Sequence, residues 1–307
     1  SDSANQPFIS NCGDYCLVFN GEIYNFRDIK KNLNYNFKTQ GDTEVILASY
    51  IEKGIDWFLE KANGMFSFAI YDKNSDKIIL CRDRFGIKPL FYYFDKNKFI
   101  FSSEIKGILN SGLIEPRFNY NAIDLYLAYR YVLDPYTFFK NIYKLNSGTY
   151  RVFDLNNFNF CDRRRYWELP KLNDIQKSDE EILNELDKEL NKAISLREIS
   201  DVRVGTYLSG GVDSSLITAI VSKSNKNLNT YTIGFPQKNY NEFEYSRIVS
   251  KQYNTNHHEI VMQEKDYFDY LSQLICFRDS PLGVPNEIPL SKMSKILKKK
   301  ITVVLSG

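Results

Sequence analysis

One nine-residue string, Tyr-Leu-Ser-Gly-Gly-Val-Asp-Ser-Ser over residues 207–215, has the residue types and spacing that suit a phosphate chain. Adjacent glycines let the backbone approach a ligand closely, and backbone N–H groups at a helix N-terminus attract anions. Ser209, Ser214 and Ser215 add hydroxyl donors. Because a carboxylate repels phosphate unless a cation lies between them, we expect Asp213 to hold a Mg²⁺ ion. The string therefore predicts a site for pyrophosphate and magnesium.

The residues around this string predict a strand before it and a helix after it. An apolar run covers residues 202–208, and apolar residues then recur at helical spacing over residues 216–220. A plain turn needs only the two glycines, whereas the whole string is more specific. It is not the common P-loop, because no Lys follows the glycines and the spacing G-x-x-x-x-G-K-[ST] is absent.

Two further predicted strands end in residues that suit the same ligand. Residues 208–210 and 305–307 are both Leu-Ser-Gly, and a third strand ends in Ile-Gly-Phe at residues 233–235. Ligands of doubly wound sheets bind beyond the carboxyl ends of the strands. We therefore expect these three strand ends to meet at one nucleotide site, with the backbone of the third available to an adenine ring.

The string resembles the Ser-Gly-Gly-x-Asp-Ser signature of the ATP pyrophosphatases, which cleave ATP between the α and β phosphates and adenylate a carboxylate or carbonyl oxygen. The resemblance implies AMP and pyrophosphate as products, with ATP and Mg²⁺ as the bound partners. It implies ATP contacts at Leu208, Ser209, Gly210, Gly211, Asp213, Ser214, Ser215, Ile233, Ser306 and Gly307.

Three strings nearer the N-terminus carry a second resemblance. They are Phe-Asn-Gly-Glu-Ile-Tyr-Asn at 19–25, Gly-Asp-Thr-Glu-Val-Ile at 41–46, and Arg-Asp-Arg-Phe-Gly-Ile-Lys-Pro-Leu at 82–90. They resemble the glutaminase half of class II glutamine amidotransferases. Together with the downstream loop, they resemble the glutamine-hydrolysing asparagine synthetases of the B family. That resemblance implies asparagine synthesis from aspartate through a β-aspartyl-adenylate, with ammonia supplied by glutamine hydrolysis.

The family pattern assigns roles to four residues of the first two strings. The Asn20 side-chain amide and the Gly21 N–H match the oxyanion hole for glutamine hydrolysis, where donors must face the developing charge. Glu22 and Asp42 match positions that hold the amino and carboxylate ends of glutamine, and a free ammonium needs a fixed carboxylate. Taken locally, Asn-Gly is also a strong turn signal after the apolar run 15–19. Residues 82–84 are interpreted as an ion-paired structural corner.

The catalytic nucleophile of the family is an N-terminal cysteine, and no residue of this chain matches it. Cys12 and Cys16 are internal and do not match the family position. We therefore expect a fragment that lacks both termini: a glutaminase segment before Ser1, and an acidic, glycine-rich segment after Gly307. A chain of residues 1–307 is expected to complete neither half-reaction.

The pattern of elements predicts two domains. Closely spaced strands between residues 65 and 102, after helices, predict an antiparallel α+β domain over residues 1–160. The resemblance implies that this is an N-terminal nucleophile (class II glutaminase) domain of αββα type. Residues 161–177 are predicted as a linker. A capping box at Ser178-Asp179-Glu180-Glu181, followed by alternating strands and helices, predicts an α/β domain with a doubly wound parallel sheet over residues 178–307. The resemblance implies that this is an ATP pyrophosphatase domain.

Composition limits the partners and the compartment. The chain has 307 residues, of which 43% are hydrophobic, and its net charge is +2, so charge offers no argument for nucleic acid or membrane. Five cysteines without a Cys-x-x-Cys pair indicate reduced thiols and a cytoplasmic protein. No signal peptide or membrane span is visible. The resemblance implies glutamine and aspartate as the partners, and a homodimer stays open.

Two rival interpretations remain open from the sequence. One is a relative such as a β-lactam synthetase, an ATP-dependent amide-forming enzyme without glutaminase activity, which the residue at the true N-terminus would distinguish. The other is a non-catalytic ATP-binding homologue, which carboxylate-dependent pyrophosphate release would exclude. The acceptor is also open, since a sugar acid could replace aspartate.

Overall fold

A computed structural model describes residues 5–171, 177–198 and 203–307. The chain divides into two compact units, Ser1–Asn173 and Asp174–Gly307. Among the described helices, none combines the length and the apolar character that a bilayer crossing needs. All five cysteines are free thiols, as predicted.

The first unit contains short helices and mostly antiparallel strands. Its helices are α1 (Phe26–Lys30), α2 (Asp42–Lys53), α3 (Ile55–Lys61), α4 (Ile105–Leu109) and α5 (Asn121–Tyr129). Its strands are β1 (Phe8–Ile9), β2 (Tyr15–Ile23), β3 (Gly64–Asp72), β4 (Lys77–Arg82), β5 (Phe91–Phe94), β6 (Phe99–Ser102), β7 (Ile142–Lys144), β8 (Thr149–Asp154) and β9 (Asn159–Arg165).

These elements form four layers. A six-stranded sheet has the order β1-β2-β3-β4-β8-β9, and a three-stranded sheet has the order β6-β5-β7. Since successive side chains of a strand face opposite ways, Phe68 of β3 packs towards helices α2 and α3, while its neighbour Ala69 packs against the smaller sheet. Ile105 and Ile108 of α4 cover the outer face of the smaller sheet. The predicted αββα arrangement is confirmed.

Asn20 and Gly21 do not form the turn that their local signal predicts. Strand β2 runs straight through them and pairs with β3 from Tyr15 opposite Asp72 to Ile23 opposite Gly64. The glycine is needed for close approach, because a Cβ on Gly21 would lie 2.1 Å from the Met65 carbonyl oxygen of β3. A long-range backbone contact therefore overrides the local turn preference.

The corner at residues 82–84 contains an ion pair, as predicted, and hydrogen bonds with backbone groups hold it as well. Arg82 pairs with Asp134 at 3.0 Å and donates to main-chain carbonyls. Arg84 donates to the Ala62 carbonyl at 3.1 Å. Asp83, only 1% exposed, accepts the backbone N–H groups of residues 66, 85, 87 and 88 at 2.9–3.1 Å.

Asp83→Ala is expected to lower the free energy of unfolding by about 3 kcal/mol, because buried backbone donors lose their acceptor where water cannot replace it. Asp154→Ala is the matched control, since Asp154 also accepts two backbone N–H groups, but in an exposed turn. Asp154→Ala should lower the free energy of unfolding by much less than Asp83→Ala. Chemical denaturation of both variants measures the difference, and equal losses would contradict the role assigned to Asp83.

The second unit is built around a parallel sheet. Its strands are β10 (Val204–Tyr207), β11 (Asn229–Gly234), β12 (Asn256–Val261) and β13 (Val303–Leu305). Its helices are α6 (Asp179–Glu198), α7 (Val212–Ser224), α8 (Phe243–Tyr253), α9 (Glu264–Arg278) and α10 (Glu287–Leu297). The strand order is β12-β11-β10-β13 and every pairing is parallel.

Helices cover both faces of this sheet, which confirms the predicted doubly wound class. Ile194 of α6 and Val221 of α7 pack in one apolar cluster with Leu305. Met293 and Leu297 of α10 pack with strand residues in another. A ligand of such a sheet binds at the carboxyl ends of the strands, so the loops after β10, β11 and β13 are the place to look.

The first residues of the predicted linker, residues 161–177, form part of a strand. Residues 161–165 belong to β9, which pairs with β8 and extends the larger sheet, because their extended backbone completes the hydrogen bonds of that edge. Residues 172–176 lie outside the described residues. Helix α6 then begins with the predicted capping box, in which the Ser178 N–H donates to Glu181 Oε2 at 2.9 Å and the Glu181 N–H donates to Ser178 Oγ at 3.3 Å.

Candidate active sites of the two units

The four residues predicted to bind glutamine come together where β2 ends and α2 begins. Asn20, Gly21 and Glu22 are consecutive on β2. Asp42 is the first residue of α2, and its Oδ2 atom accepts the N–H of Ile23 at 2.9 Å. This hydrogen bond ties the start of the helix to the end of the strand, so that Asp42 lies next to Glu22.

The Glu22 and Asp42 carboxylates form a half-buried acidic pair. Burial raises the pKa of Glu22, the charge of Asp42 raises it further, and the ammonium of Lys88 opposes both. Burial also raises the pKa of Asp42, against the lowering effect of the Ile23 and Thr43 N–H groups. Two desolvated carboxylates side by side favour a bound cation, because it removes their mutual repulsion.

In the second unit, a cavity of about 700 Å³ opens at the carboxyl ends of β10, β11 and β13. Its volume lies in the range of small-molecule sites. Six of the predicted ATP contacts line it: Leu208, Ser209, Ser214, Ile233, Ser306 and Gly307. The pairing register of the strands explains why these residues lie together. Thr206 of β10 pairs with Leu305 of β13, so the two Leu-Ser-Gly tripeptides follow neighbouring strands at the same edge of the sheet.

The loop after β10 is held in shape by its own serines. The Ser209 N–H donates to Ser214 Oγ at 3.3 Å, and the Gly211 N–H donates to Ser209 Oγ at 3.2 Å. Helix α7 follows with Gly211 as its N-cap and without a side-chain cap, so the first-turn N–H groups are not covered by a capping side chain. This is the geometry in which a helix N-terminus attracts an anion.

The other predicted ATP residues lie in the loop or the first turn of α7 and not on the cavity wall. Gly210 packs on helix α8, where a Cβ would lie 2.4 Å from the Tyr245 Cβ atom. Asp213 packs against Gly307, where an added Cβ would lie 2.7 Å from the Asp213 Cβ atom. The Ser215 hydroxyl is buried and has no hydrogen-bond partner among the described residues. Their predicted contacts with ATP stay predictions.

Both halves of the chain match known domain families. The family model described as glutamine amidotransferase domain matches residues 1–167, and the one described as asparagine synthase matches residues 185–307. A Methanocaldococcus jannaschii protein, provisionally named glutamine-hydrolysing asparagine synthetase 2, is 39% identical over 298 residues. The chain belongs to the glutamine-hydrolysing asparagine synthetase family. That match covers 96% of this chain and 57% of the archaeal protein.

Two Bacillus subtilis members of the family show the same relation. Glutamine-hydrolysing asparagine synthetase 1 is 29% identical over 309 residues, covering 100% of this chain and 48% of that protein. Asparagine synthetase 2 is 32% identical over 328 residues, covering 98% of this chain and 43% of that protein. The chain thus spans about half the length of the curated relatives it matches.

Within this asparagine synthetase family member, the structure adds residues that sequence reasoning missed. Glu242 and Tyr245 at the start of α8 and Met293 of α10 also line the cavity at the carboxyl ends of the strands. Lys88 acts electrostatically on Glu22. The motif containing Lys88 was visible in the sequence, but no local pattern connects α8 and α10 to the loop at 207–215, because only the winding of the sheet brings them there.

Proposed function

We propose that the protein to which this chain belongs makes asparagine from aspartate, glutamine and ATP. The observation that carries the proposal is that one chain folds both an acidic pair beside Asn20-Gly21 and a cavity beside the Ser-Gly-Gly loop, at the carboxyl ends of a parallel sheet. Family membership supports the pairing of the two activities.

In the first reaction, Glu22 and Asp42 bind the α-ammonium end of glutamine, and Asn20 and Gly21 donate hydrogen bonds to the oxygen of its side-chain amide. These donors stabilise the negative charge that forms on that oxygen when a thiolate adds to the carbonyl carbon. Ammonia leaves, and water releases glutamate from the thioester. The thiolate is the family's N-terminal cysteine, which no residue of this chain matches.

In the second reaction, the cavity binds ATP with its phosphates over the N-terminus of α7. The aspartate β-carboxylate attacks the α-phosphorus and pyrophosphate leaves. Ammonia then attacks the acyl carbon of the β-aspartyl-adenylate, which releases asparagine and AMP. Asp213, in the first turn of α7, would hold a Mg²⁺ ion through its carboxylate, because carboxylates and phosphate oxygens are the ligands that Mg²⁺ prefers. When bound, Mg²⁺ would neutralise charge on the phosphates.

The test is a product balance on the full-length natural protein. With ATP, Mg²⁺, aspartate and glutamine, we expect one AMP, one pyrophosphate and one glutamate for each asparagine formed, and ammonium chloride should replace glutamine. ADP and orthophosphate as products would refute the adenylate. Activity with ammonium but none with glutamine would refute the first reaction, and pyrophosphate release that does not depend on aspartate would refute the acceptor.

Lys88→Met is expected to shift the acid limb of glutamine hydrolysis to higher pH. The ammonium of Lys88 lowers the pKa of Glu22, so its removal lets that pKa rise further. Glutamine binding requires the ionised carboxylate, and kcat/KM should therefore begin to fall at a higher pH as the solution is acidified. Lys53→Met, at an exposed site on α2, is the control. Superimposable pH profiles would contradict the role of Lys88.

A further inference from the structure

Glu44 is a buried carboxylate whose position requires an explanation. Its relative exposure is 0%, and it lies in the first turn of α2. Its two oxygens accept the backbone N–H groups of Lys38 at 2.9 Å and Thr39 at 2.6 Å. Burying a carboxylate is costly unless it is fully hydrogen-bonded, and bonds from N–H groups to an ionised oxygen are among the stronger ones.

These two bonds fix the segment that leads into α2. The Gly41 N–H donates to Thr39 Oγ1 at 3.4 Å, and Lys30 Nζ donates to the Thr39 carbonyl at 3.2 Å. The chain from residue 38 to residue 41 is therefore held against the helix that it enters. This restricts the positions that the side chain of the next residue, Asp42, can adopt.

Glu44 and Asp42 fasten the first turn of α2 on two sides. Glu44 binds the incoming segment, and Asp42 binds the N–H of Ile23 at the end of β2. If the first fastening is lost, the helix start is free to rotate or shift, and the Asp42 carboxylate moves away from Glu22. These hydrogen bonds link a buried residue to the acidic pair through the backbone at the start of α2.

We propose that Glu44 is a positioning residue that holds Asp42 beside Glu22, and thereby sets the affinity of this site for the ammonium group of an amino acid. The proposal rests on the proposed glutamine-binding role of that pair. Glu44 itself touches no substrate, and its effect passes through the backbone of residues 38–42.

Glu52 provides a matched control on the same helix. Its Oε2 atom accepts the N–H of Asn34 at 2.9 Å, so it also fastens the segment between β2 and α2 to the helix. It lies roughly 15 Å along the helix from Asp42, at 1.5 Å of rise per residue. A change there alters the same segment without reaching the acidic pair.

The experiment compares Glu44→Gln and Glu52→Gln in the full-length protein. The glutamine amide presents an N–H₂ group to a backbone N–H, and one hydrogen bond is lost. We expect hydrogen exchange at the Ile23 amide to be about tenfold faster in Glu44→Gln than in Glu52→Gln, and KM for glutamine to rise about tenfold. The kcat of the ammonium-dependent reaction should not change.

A double-mutant cycle separates positioning from general destabilisation. In an Asp42→Asn background, Glu44→Gln should cause no further rise in KM, because its effect passes through Asp42. Additive effects would overturn the proposal. Unchanged Ile23 exchange and a KM within twofold of the Glu52→Gln control would also overturn it.

Two outcomes keep the proposal separate from the function on which it rests. If the wild-type protein hydrolyses no glutamine, the proposed first reaction fails, and exchange at the Ile23 amide still decides whether Glu44 holds Asp42. If Glu44→Gln does not fold, Glu44→Asp retains the charge and withdraws the oxygens by one methylene. In Glu44→Asp, hydrogen exchange at the Ile23 amide should be faster than in the wild-type protein, by less than tenfold. An exchange rate equal to that of the wild-type protein would refute the proposal.

Discussion

Gly21→Ala is expected to abolish glutamine hydrolysis in the full-length protein. The added Cβ would lie 2.1 Å from the Met65 carbonyl oxygen and 2.7 Å from the Phe66 Cα atom, with φ at +148°. All of these neighbours are backbone atoms of the adjacent strand, so relief requires β2 and β3 to separate. The Gly21 N–H would then leave the position from which it stabilises the oxyanion, which costs about a thousandfold in rate.

Glutamate release and thermal unfolding of Gly21→Ala measure this effect. Gly41→Ala is the matched control, because Gly41 precedes Asp42 in the same site, has an ordinary φ of −87° and would have nothing within 4 Å of an added Cβ. It should keep wild-type stability. The ammonium-dependent reaction should survive in both variants. If Gly21→Ala hydrolyses glutamine at the wild-type rate, the oxyanion role of Gly21 is wrong.

Gly210→Ala is expected to cripple the ATP-dependent reaction. A Cβ at this position would lie 2.4 Å from the Tyr245 Cβ atom and 2.8 Å from the Ser246 backbone nitrogen, and the φ of +88° is strained for any other residue. Helix α8 or the loop must move to relieve these contacts. A displacement of about an ångström in a reacting group costs about a hundredfold in rate, so we expect aspartate-dependent pyrophosphate release to fall by that factor.

The neighbouring glycine provides the comparison for this variant. Gly211 has an ordinary φ of −68°, and a Cβ added there would meet only Ser209 Oγ at 3.4 Å. The free energy of unfolding of Gly211→Ala should therefore lie within about 0.5 kcal/mol of the wild-type value. The free energy of unfolding of Gly210→Ala should be clearly lower. Glutamine hydrolysis should persist in both. Equal stability of the two variants would show that the contact between the loop and α8 does not constrain Gly210.

The elements that the sequence predicted well are those with local causes. The capping box at Ser178 places the start of α6, since both of its hydrogen bonds join residues three apart. Apolar periodicity predicted closely spaced strands between residues 65 and 102 and alternating strands and helices in the second unit, as the structure has them. The Leu-Ser-Gly tripeptides at 208–210 and 305–307 predicted a shared edge, because parallel strands all present their carboxyl ends there.

The sequence by itself thus determined the two families, the order of the units, and the residues Asn20, Gly21, Glu22 and Asp42 as a set. Only the tertiary structure decided how they are held. The Asn20-Gly21 pair is a turn signal locally and forms strand because β3, far along the chain, lies against it. The linear sequence does not predict that Glu44 and Asp83 are buried. Most of their hydrogen bonds come from backbone N–H groups within six residues of the chain, with Phe66 on β3 as the distant donor to Asp83. Their burial depends on the strands and helices that pack around them, and only the tertiary structure shows that packing.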